Sequence, residues 1–169
     1  TVEVGFPLRF RGKSERSLGG LEGCVALEEV SLSDTGAASL QPLARASRLR
    51  KLNLVRNDIA DLSPLQDCAA MEELEIDGNL LTTLAPVAEM KELRILNISN
   101  NRFDTLAPLV GLTQLESLRA SHNSLVTLNG LQASTSLRRL DLAHNAIRDL
   151  SSLGVLRELE ELRLDENSV

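Results

Sequence analysis

The chain has 169 residues, a net charge of −6 and only three aromatic residues, all of them phenylalanine. This length is sufficient for one domain with a substantial core. The acidic balance argues against a nucleic-acid-binding or membrane-surface role, because both need a concentrated basic surface. The apolar runs are also far shorter than a membrane-spanning segment.

The first 26 residues differ from the rest of the chain. Hydrophobic residues alternate with period two over 2–10, which predicts a strand with one buried face. The apolar spacing of the later repeats extends back into this segment, but Lys13 stands where those repeats have asparagine. We interpret residues 1–26 as a degenerate N-terminal capping repeat.

Residues 27–158 form six consecutive units of 22 residues, and residues 159–169 begin a further unit that we predict to be truncated. Numbering each unit from its first residue, apolar residues recur at positions 1, 4, 6, 11, 14 and 17. Position 9 holds Thr35 in the first unit and asparagine in all later ones: Asn57, Asn79, Asn101, Asn123, Asn145 and Asn167.

These columns predict the local structure of one unit. Apolar residues at positions 4 and 6 alternate with polar ones, which indicates a short strand over positions 3–7. One such strand cannot bury its face alone, so the units must stack in parallel. The asparagine amide can then bond the buried turn after the strand. Proline at position 16 of four units favours a short 3₁₀ turn or helix, with Ser63 as an N-cap before Pro64.

The unit at residues 49–70, LRKLNLVRNDIADLSPLQDCAA, resembles the SDS22-like class of 22-residue leucine-rich repeats. That resemblance implies an α/β fold, a right-handed horseshoe solenoid with a concave parallel sheet and short 3₁₀ or helical turns on the convex face. The class includes regulators of protein phosphatase 1, ciliary and dynein light-chain proteins, tubulin-folding cofactors and bacterial internalins. Because its members share core residues, the resemblance implies protein binding without specifying the partner.

Positions 3, 5 and 7 are predicted to form the exposed concave surface. An acidic cluster on one strand is followed by a neutral strip with one exposed aliphatic residue, and then by a more basic end interrupted by Asp141. The acidic cluster favours a protein partner whose basic segment lies across it and extends over Ile95. We predict that the partner-binding residues are Glu73, Glu75, Asp77, Ile95, Asn97, Arg119, Arg139 and Arg163.

The concave positions contain no aromatic residue. The phosphatase-binding and internalin members of the class, by contrast, have concave faces rich in aromatic anchors. The resemblance therefore does not transfer their partners to this chain.

The two histidines, His122 and His144, occupy position 8 of adjacent units, so their rings should lie side by side at the rim. Glu166 follows at the same position, which raises a metal site as an alternative. We favour two solvated side chains, because no third ligand is fixed in geometry. Neither histidine has an oriented nucleophile, and a regular solenoid rarely forms a substrate pocket. We predict no catalytic residue, metal, cofactor or small-molecule substrate.

Cys24 and Cys68 share position 20 but lie two units apart, about 10 Å by strand spacing, which is too far for a disulfide. Both are predicted to be small buried residues of the convex side. Two unpaired cysteines, without a recognisable signal peptide, favour a reducing cytoplasmic location.

We therefore predict a non-catalytic protein-interaction domain that binds its partner on the concave face, within a larger intracellular scaffold, cytoskeletal or ciliary protein. Two alternatives remain open. One is a regulatory subunit that docks on an enzyme such as a protein phosphatase. The other is an extracellular adhesin similar to an internalin.

Overall fold

The computed structural model of the protein describes residues 8–9 and 18–169. Most of the predicted N-terminal strand over 2–10 lies outside the described residues, and so does Lys13. The capping role of residues 1–26 therefore stays a prediction.

Each unit contributes one short strand to a parallel sheet. Within the described residues, eight strands lie side by side in chain order, and residues 22 apart are paired, as Leu52 is with Leu74. This unbroken register confirms the predicted parallel stacking. The strands are β1 (Leu8–Arg9), β2 (Glu29–Ser31), β3 (Lys51–Asn53), β4 (Glu73–Glu75), β5 (Ile95–Asn97), β6 (Ser117–Arg119), β7 (Arg139–Asp141) and β8 (Glu161–Arg163).

A continuous leucine core lies between the sheet and the return segments. The inward residues of the central strands are fully buried, as Leu74 and Leu96 are. Phe103, at position 11, is the largest of the fully buried side chains and is 1% exposed. On β8, by contrast, Leu162 is 41% exposed. Burial of the same column thus depends on a neighbouring coil on each side, as expected for a stack of repeats.

The asparagines of position 9 connect successive coils. The amide nitrogen of Asn79 donates to the carbonyls of Leu54 in the preceding coil and Ile76 in its own coil, each at 3.0 Å. Its Oδ1 accepts the backbone N–H of Ile59 at 3.0 Å. Thr35 replaces asparagine in the first unit, where its Oγ1 donates to the Leu32 carbonyl at 3.1 Å. The predicted hydrogen-bonding role of this column is confirmed.

Short 3₁₀ helices form the return side, as the prolines predict. Four of the five in the described residues have proline in their first turn. Proline suits this place because its missing N–H has no helical partner to lose. The helices span Gln41–Leu43, Ser63–Leu65, Ala85–Val87, Ala107–Gly111 and Ser151–Val155.

The predicted N-cap role of Ser63 is wrong. The residue before the helix is Leu62, and Ser63 is the first helical residue. The Asp61 carboxylate caps the turn instead, because it accepts the Ser63 backbone N–H at 2.8 Å and its hydroxyl at 2.7 Å. These hydrogen bonds lower the pKa of the Asp61 carboxyl. Equivalent side-chain oxygens accept from the backbone two residues later at Ser39, Thr83, Thr105 and Asp149.

The unit with glycine in place of proline turns without a 3₁₀ helix. Gly130 has a φ of +114°, a conformation that favours glycine. A Cβ at this residue would lie 2.0 Å from the Leu106 carbonyl oxygen of the preceding coil. Close backbone approach therefore requires glycine here.

The prediction for the two cysteines is half right. Both are free thiols, and Cys68 is buried as expected. Cys24 is exposed, in a run of exposed residues over 22–26. The Cys68 thiol lies 3.6 Å from the Ala46 carbonyl oxygen of the preceding coil. Cys24 belongs to the turns that precede β2, where its repeat position does not result in burial.

We expect the two thiols to react at very different rates. Burial raises the pKa of the Cys68 thiol to about 11, so this thiol is both protonated and inaccessible at neutral pH. In a maleimide-labelling time course read by mass spectrometry, the native protein should take up one label rapidly, at Cys24. The variant Cys24→Ser should label only after denaturation. Rapid labelling of that variant in buffer would contradict the packing described here.

Ser134 offers a test of the core. Its side-chain oxygen is buried without a hydrogen-bond partner among the described residues. An unsatisfied buried hydroxyl costs about 1–3 kcal/mol. Ser134→Ala should therefore raise the free energy of unfolding by about 1 kcal/mol in urea titrations. The exposed Ser124→Ala serves as the control and should change it by less than about 0.5 kcal/mol. A Ser134→Ala variant less stable than the parent would show that the hydroxyl has a partner in solution.

Candidate partner-binding surface

The sheet brings the predicted site residues to one face. Positions 3 and 5 form two rows across the strands, in which Glu73 pairs with Ile95 and Glu75 with Asn97. The arginines follow on β6, β7 and β8, and Asp77 lies just beyond the end of β4. Neighbours in a row are about 4.8 Å apart, so the face is a grid of side chains fixed by the register.

The three carboxylates of the acidic cluster already have partners in the chain. Glu73 forms an ion pair with Lys51 at 2.7 Å. Glu75 accepts the Asn97 side-chain amide at 2.9 Å, and Asp77 accepts that of Asn100 at 2.7 Å. Mutual repulsion among the acids is therefore partly relieved within the fold. Three carboxylates and one ammonium still leave this part of the face net negative.

The neutral strip is more buried than predicted. Asn97 is 9% exposed and Ser99 is 6% exposed, whereas Ile95 is half-buried. The predicted exposure of Asn97 is wrong, because both ends of its amide are engaged. Its nitrogen donates to Glu75, and its oxygen accepts the Ser99 backbone N–H at 3.1 Å. Asn97 thus forms the floor of the face and orients Glu75, and Ile95 is the more accessible residue of the pair.

The arginine end has a different character. Arg119, Arg139 and Arg163 are exposed. Within the described part of the chain, none of the three guanidinium groups forms an ion pair or a hydrogen bond. Asp141, between Arg119 and Arg163 in the same row, accepts the Ala143 backbone N–H at 3.1 Å. The carboxylates of the acidic cluster are therefore paired within the chain, whereas the guanidinium N–H groups of these arginines have no partner in the described part of the chain.

A further charged column was missed by the sequence reasoning. Position 2 alternates strictly between acid and base, and each arginine pairs with the glutamate of the following coil: Arg50–Glu72 at 2.7 Å, Arg94–Glu116 at 2.6 Å and Arg138–Glu160 at 2.7 Å. The signal was present as opposite charges 22 residues apart. Exposed pairs of this kind each contribute about 0.2–1 kcal/mol. The column lies at the edge of the sheet where each strand begins, and its members are Glu28, Arg50, Glu72, Arg94, Glu116, Arg138 and Glu160.

The histidine rings stack as predicted. The centroids of His122 and His144 lie 4.1 Å apart with an interplanar angle of 14°. Both residues are exposed and adopt the left-handed conformation in the turn after the strand, with φ of 52° and 55°.

The described residues contain no group of three or more histidine, cysteine or acidic side chains placed to hold a metal ion. Nor does that part of the chain contain a helix long and apolar enough to cross a membrane.

Comparison with known proteins supports the same architecture. A model of the leucine rich repeat family matches residues 69–125. The internalin InlF of Listeria monocytogenes superimposes with a TM-score of 0.88 at 28% identity, over 89% of this chain and 45% of its own. Internalin C2 of the same species superimposes with a TM-score of 0.86 at 29% identity, over 88% of this chain and 66% of its own. A leucine-rich-repeat protein of Leptospira interrogans shares the fold, with a TM-score of 0.76 at 24% identity, over 86% of this chain and 40% of its own.

The protein is a leucine-rich-repeat solenoid in fold, with the predicted concave parallel sheet and short 3₁₀ turns. The matched family model describes leucine-rich repeats in general, so membership of the SDS22-like class stays a prediction. The chain spans less than half of InlF and about two thirds of internalin C2. None of the curated proteins compared with the chain matches it.

Removing the acidic charges should leave the fold intact. The ion pair of Glu73 is solvent-accessible, with its side chain 37% exposed and that of Lys51 44% exposed. Such pairs contribute little to stability. The triple variant Glu73→Gln, Glu75→Gln, Asp77→Asn should lose at most about 1 kcal/mol of unfolding free energy in urea titrations. A loss above about 3 kcal/mol would mean that these side chains stabilise the fold rather than being free to bind a partner.

Proposed function

We propose that this protein is a non-catalytic interaction domain whose concave face binds a protein partner. The observation that carries the proposal is the sheet itself: its strands stay in register and present rows of polar side chains that the core does not use. Leucine-rich-repeat solenoids generally bind proteins on such extended concave surfaces. The face is therefore suited to an extended segment that crosses several strands.

The partner that we propose carries a basic segment over the acidic half. Lysine or arginine side chains would approach Glu73, Glu75 and Asp77, whose combined charge exceeds that of Lys51. The half-buried Ile95 lies in the row of Glu73 and offers an apolar contact where the segment continues. Charge complementarity of this kind chiefly sets specificity and association rate.

We further propose that the domain serves within an intracellular scaffold, cytoskeletal or ciliary protein. The similarity to two internalins, with TM-scores of 0.88 and 0.86, favours a second candidate, an adhesin that acts outside the cell. Antibody labelling of intact and permeabilised cells separates the two. Labelling only after permeabilisation supports the scaffold, and labelling of intact cells supports the adhesin.

The decisive experiment compares two charge-reversal variants of the full-length protein. The concave variant carries Glu73→Lys, Glu75→Lys and Asp77→Lys. A control makes the same total charge change at three exposed acids outside the strands, Glu89→Lys, Glu92→Lys and Asp104→Lys. Quantitative mass spectrometry of purified complexes should show one set of partners reduced at least about tenfold in the concave variant alone.

Equal retention of every partner in both variants would contradict the proposal, because the concave face would then be dispensable. Equal loss in both would also contradict it, since total charge rather than the face would determine binding. Circular dichroism on each variant should first show the spectrum of the parent.

A further inference from the structure

Arg119 and Arg139 line one hollow on the concave face, of about 430 Å³, whose lining also includes Ile95 and Ser117. We propose that this hollow binds a single carboxylate side chain of the partner segment. The inference rests on the proposed function and adds a second, oppositely charged contact to it. The partner is then a segment in which an acidic residue accompanies the basic ones.

The two arginines are placed to act together. Arg119 stands on β6 opposite Asp141, and Arg139 stands on β7 opposite Ser117. They are therefore diagonal neighbours on adjacent strands, roughly 8 Å apart by strand geometry. Each guanidinium offers five N–H donors, and its planar fork matches a carboxylate. Since neither group has a partner in the described part of the chain, both can turn to a carboxylate between them.

The floor of the hollow adds another donor. Ser117 is 5% exposed, and the described residues provide no hydrogen bond to its hydroxyl. The neighbouring floor residue, Asn97, has both ends of its amide engaged. A hydroxyl without a partner, on a residue that lines the hollow, can donate a hydrogen bond to a bound carboxylate oxygen.

The surrounding acids limit the ligand to one carboxylate. Glu75 and Glu161 line the same hollow, and Asp141 and Glu161 line the adjoining one with Arg163. A polyanion or an acidic run would meet these charges as well as the arginines. A single aspartate or glutamate side chain can reach the two guanidinium groups while it meets less of that repulsion than an acidic run would.

The strand spacing fixes the form of the partner motif. The acidic cluster on β4 lies two to three strands from Arg119 and Arg139, which is about 10–14 Å. An extended chain covers that distance in three or four residues. The segment should therefore carry its acidic residue three or four positions away from its basic residues.

The test uses two synthetic peptides of ten residues. One has two lysines, a three-residue neutral spacer and a glutamate, and the other has glutamine in place of the glutamate. Titration into the full chain is followed by NMR of the arginine Nε–H signals. We expect the signals of Arg119 and Arg139 to shift with the glutamate peptide, and the glutamine peptide to bind about tenfold more weakly.

The variant Arg139→Gln should remove the preference for glutamate, whereas the exposed Arg148→Gln, a control with the same charge change, should retain it. Equal affinity for both peptides, or unmoved Arg119 and Arg139 signals at millimolar peptide, would overturn the inference. The NMR signals of the two peptide lysines report separately on binding to the acidic half of the face. If lysine contact persists and disappears with the reversal of Glu73, Glu75 and Asp77, the proposed function stands without the carboxylate site.

Discussion

The asparagine of position 9 is the contact on which the stacking of the coils depends. Each strand has only two or three residues, so its own ladder bonds are few. At the end of every strand the backbone turns away while its polar groups remain buried, and such groups need hydrogen-bond partners. Asn79 donates to three carbonyls and accepts one N–H, and two of these four groups, the Leu54 carbonyl and the Ile59 N–H, belong to the preceding coil. The side chain therefore joins coils as well as closing a turn.

The chemistry of the surface follows from this constraint. A fixed register places each side chain beside the residue 22 positions away, so every surface column is a row of neighbours. Opposite charges at position 2 become ion pairs between coils, and Asn97 at position 5 becomes the partner of Glu75. Near β6 and β7 the rows leave guanidinium groups that have no such partners among the described residues. The concave face thus has an acidic half, whose carboxylates are paired within the chain, and an arginine half, whose guanidinium groups have no partner among the described residues.

Much of this architecture could be predicted from the period alone. The 22-residue period can be read directly from the sequence. It determines the parallel strands, the asparagine hydrogen bonds, the 3₁₀ turns and the stacking of His122 on His144. The misassignments concern features that the period does not determine. Capping by Asp61 rather than Ser63 depends on where the turn begins, and the exposure of Cys24 depends on the local turns before β2. The burial of Asn97 depends on its bond to Glu75 in the adjacent coil.

The identity of the partner lies beyond such reasoning, since the repeated residues specify the core and the variable ones specify binding. The role of the asparagines in joining the coils is tested by the variant Asn79→Ala. In that variant the Ile59 N–H loses its partner, whereas the Leu54 and Ile76 carbonyls still accept the amides of Asn57 and Asn101. The unfolding free energy should therefore fall by about 1–3 kcal/mol. Hydrogen exchange at the Ile59 amide should accelerate, whereas the exposed Asn129→Ala should alter neither. A loss below about 1 kcal/mol, with the Ile59 amide still protected from exchange, would show that Asn79 does not hold adjacent coils together.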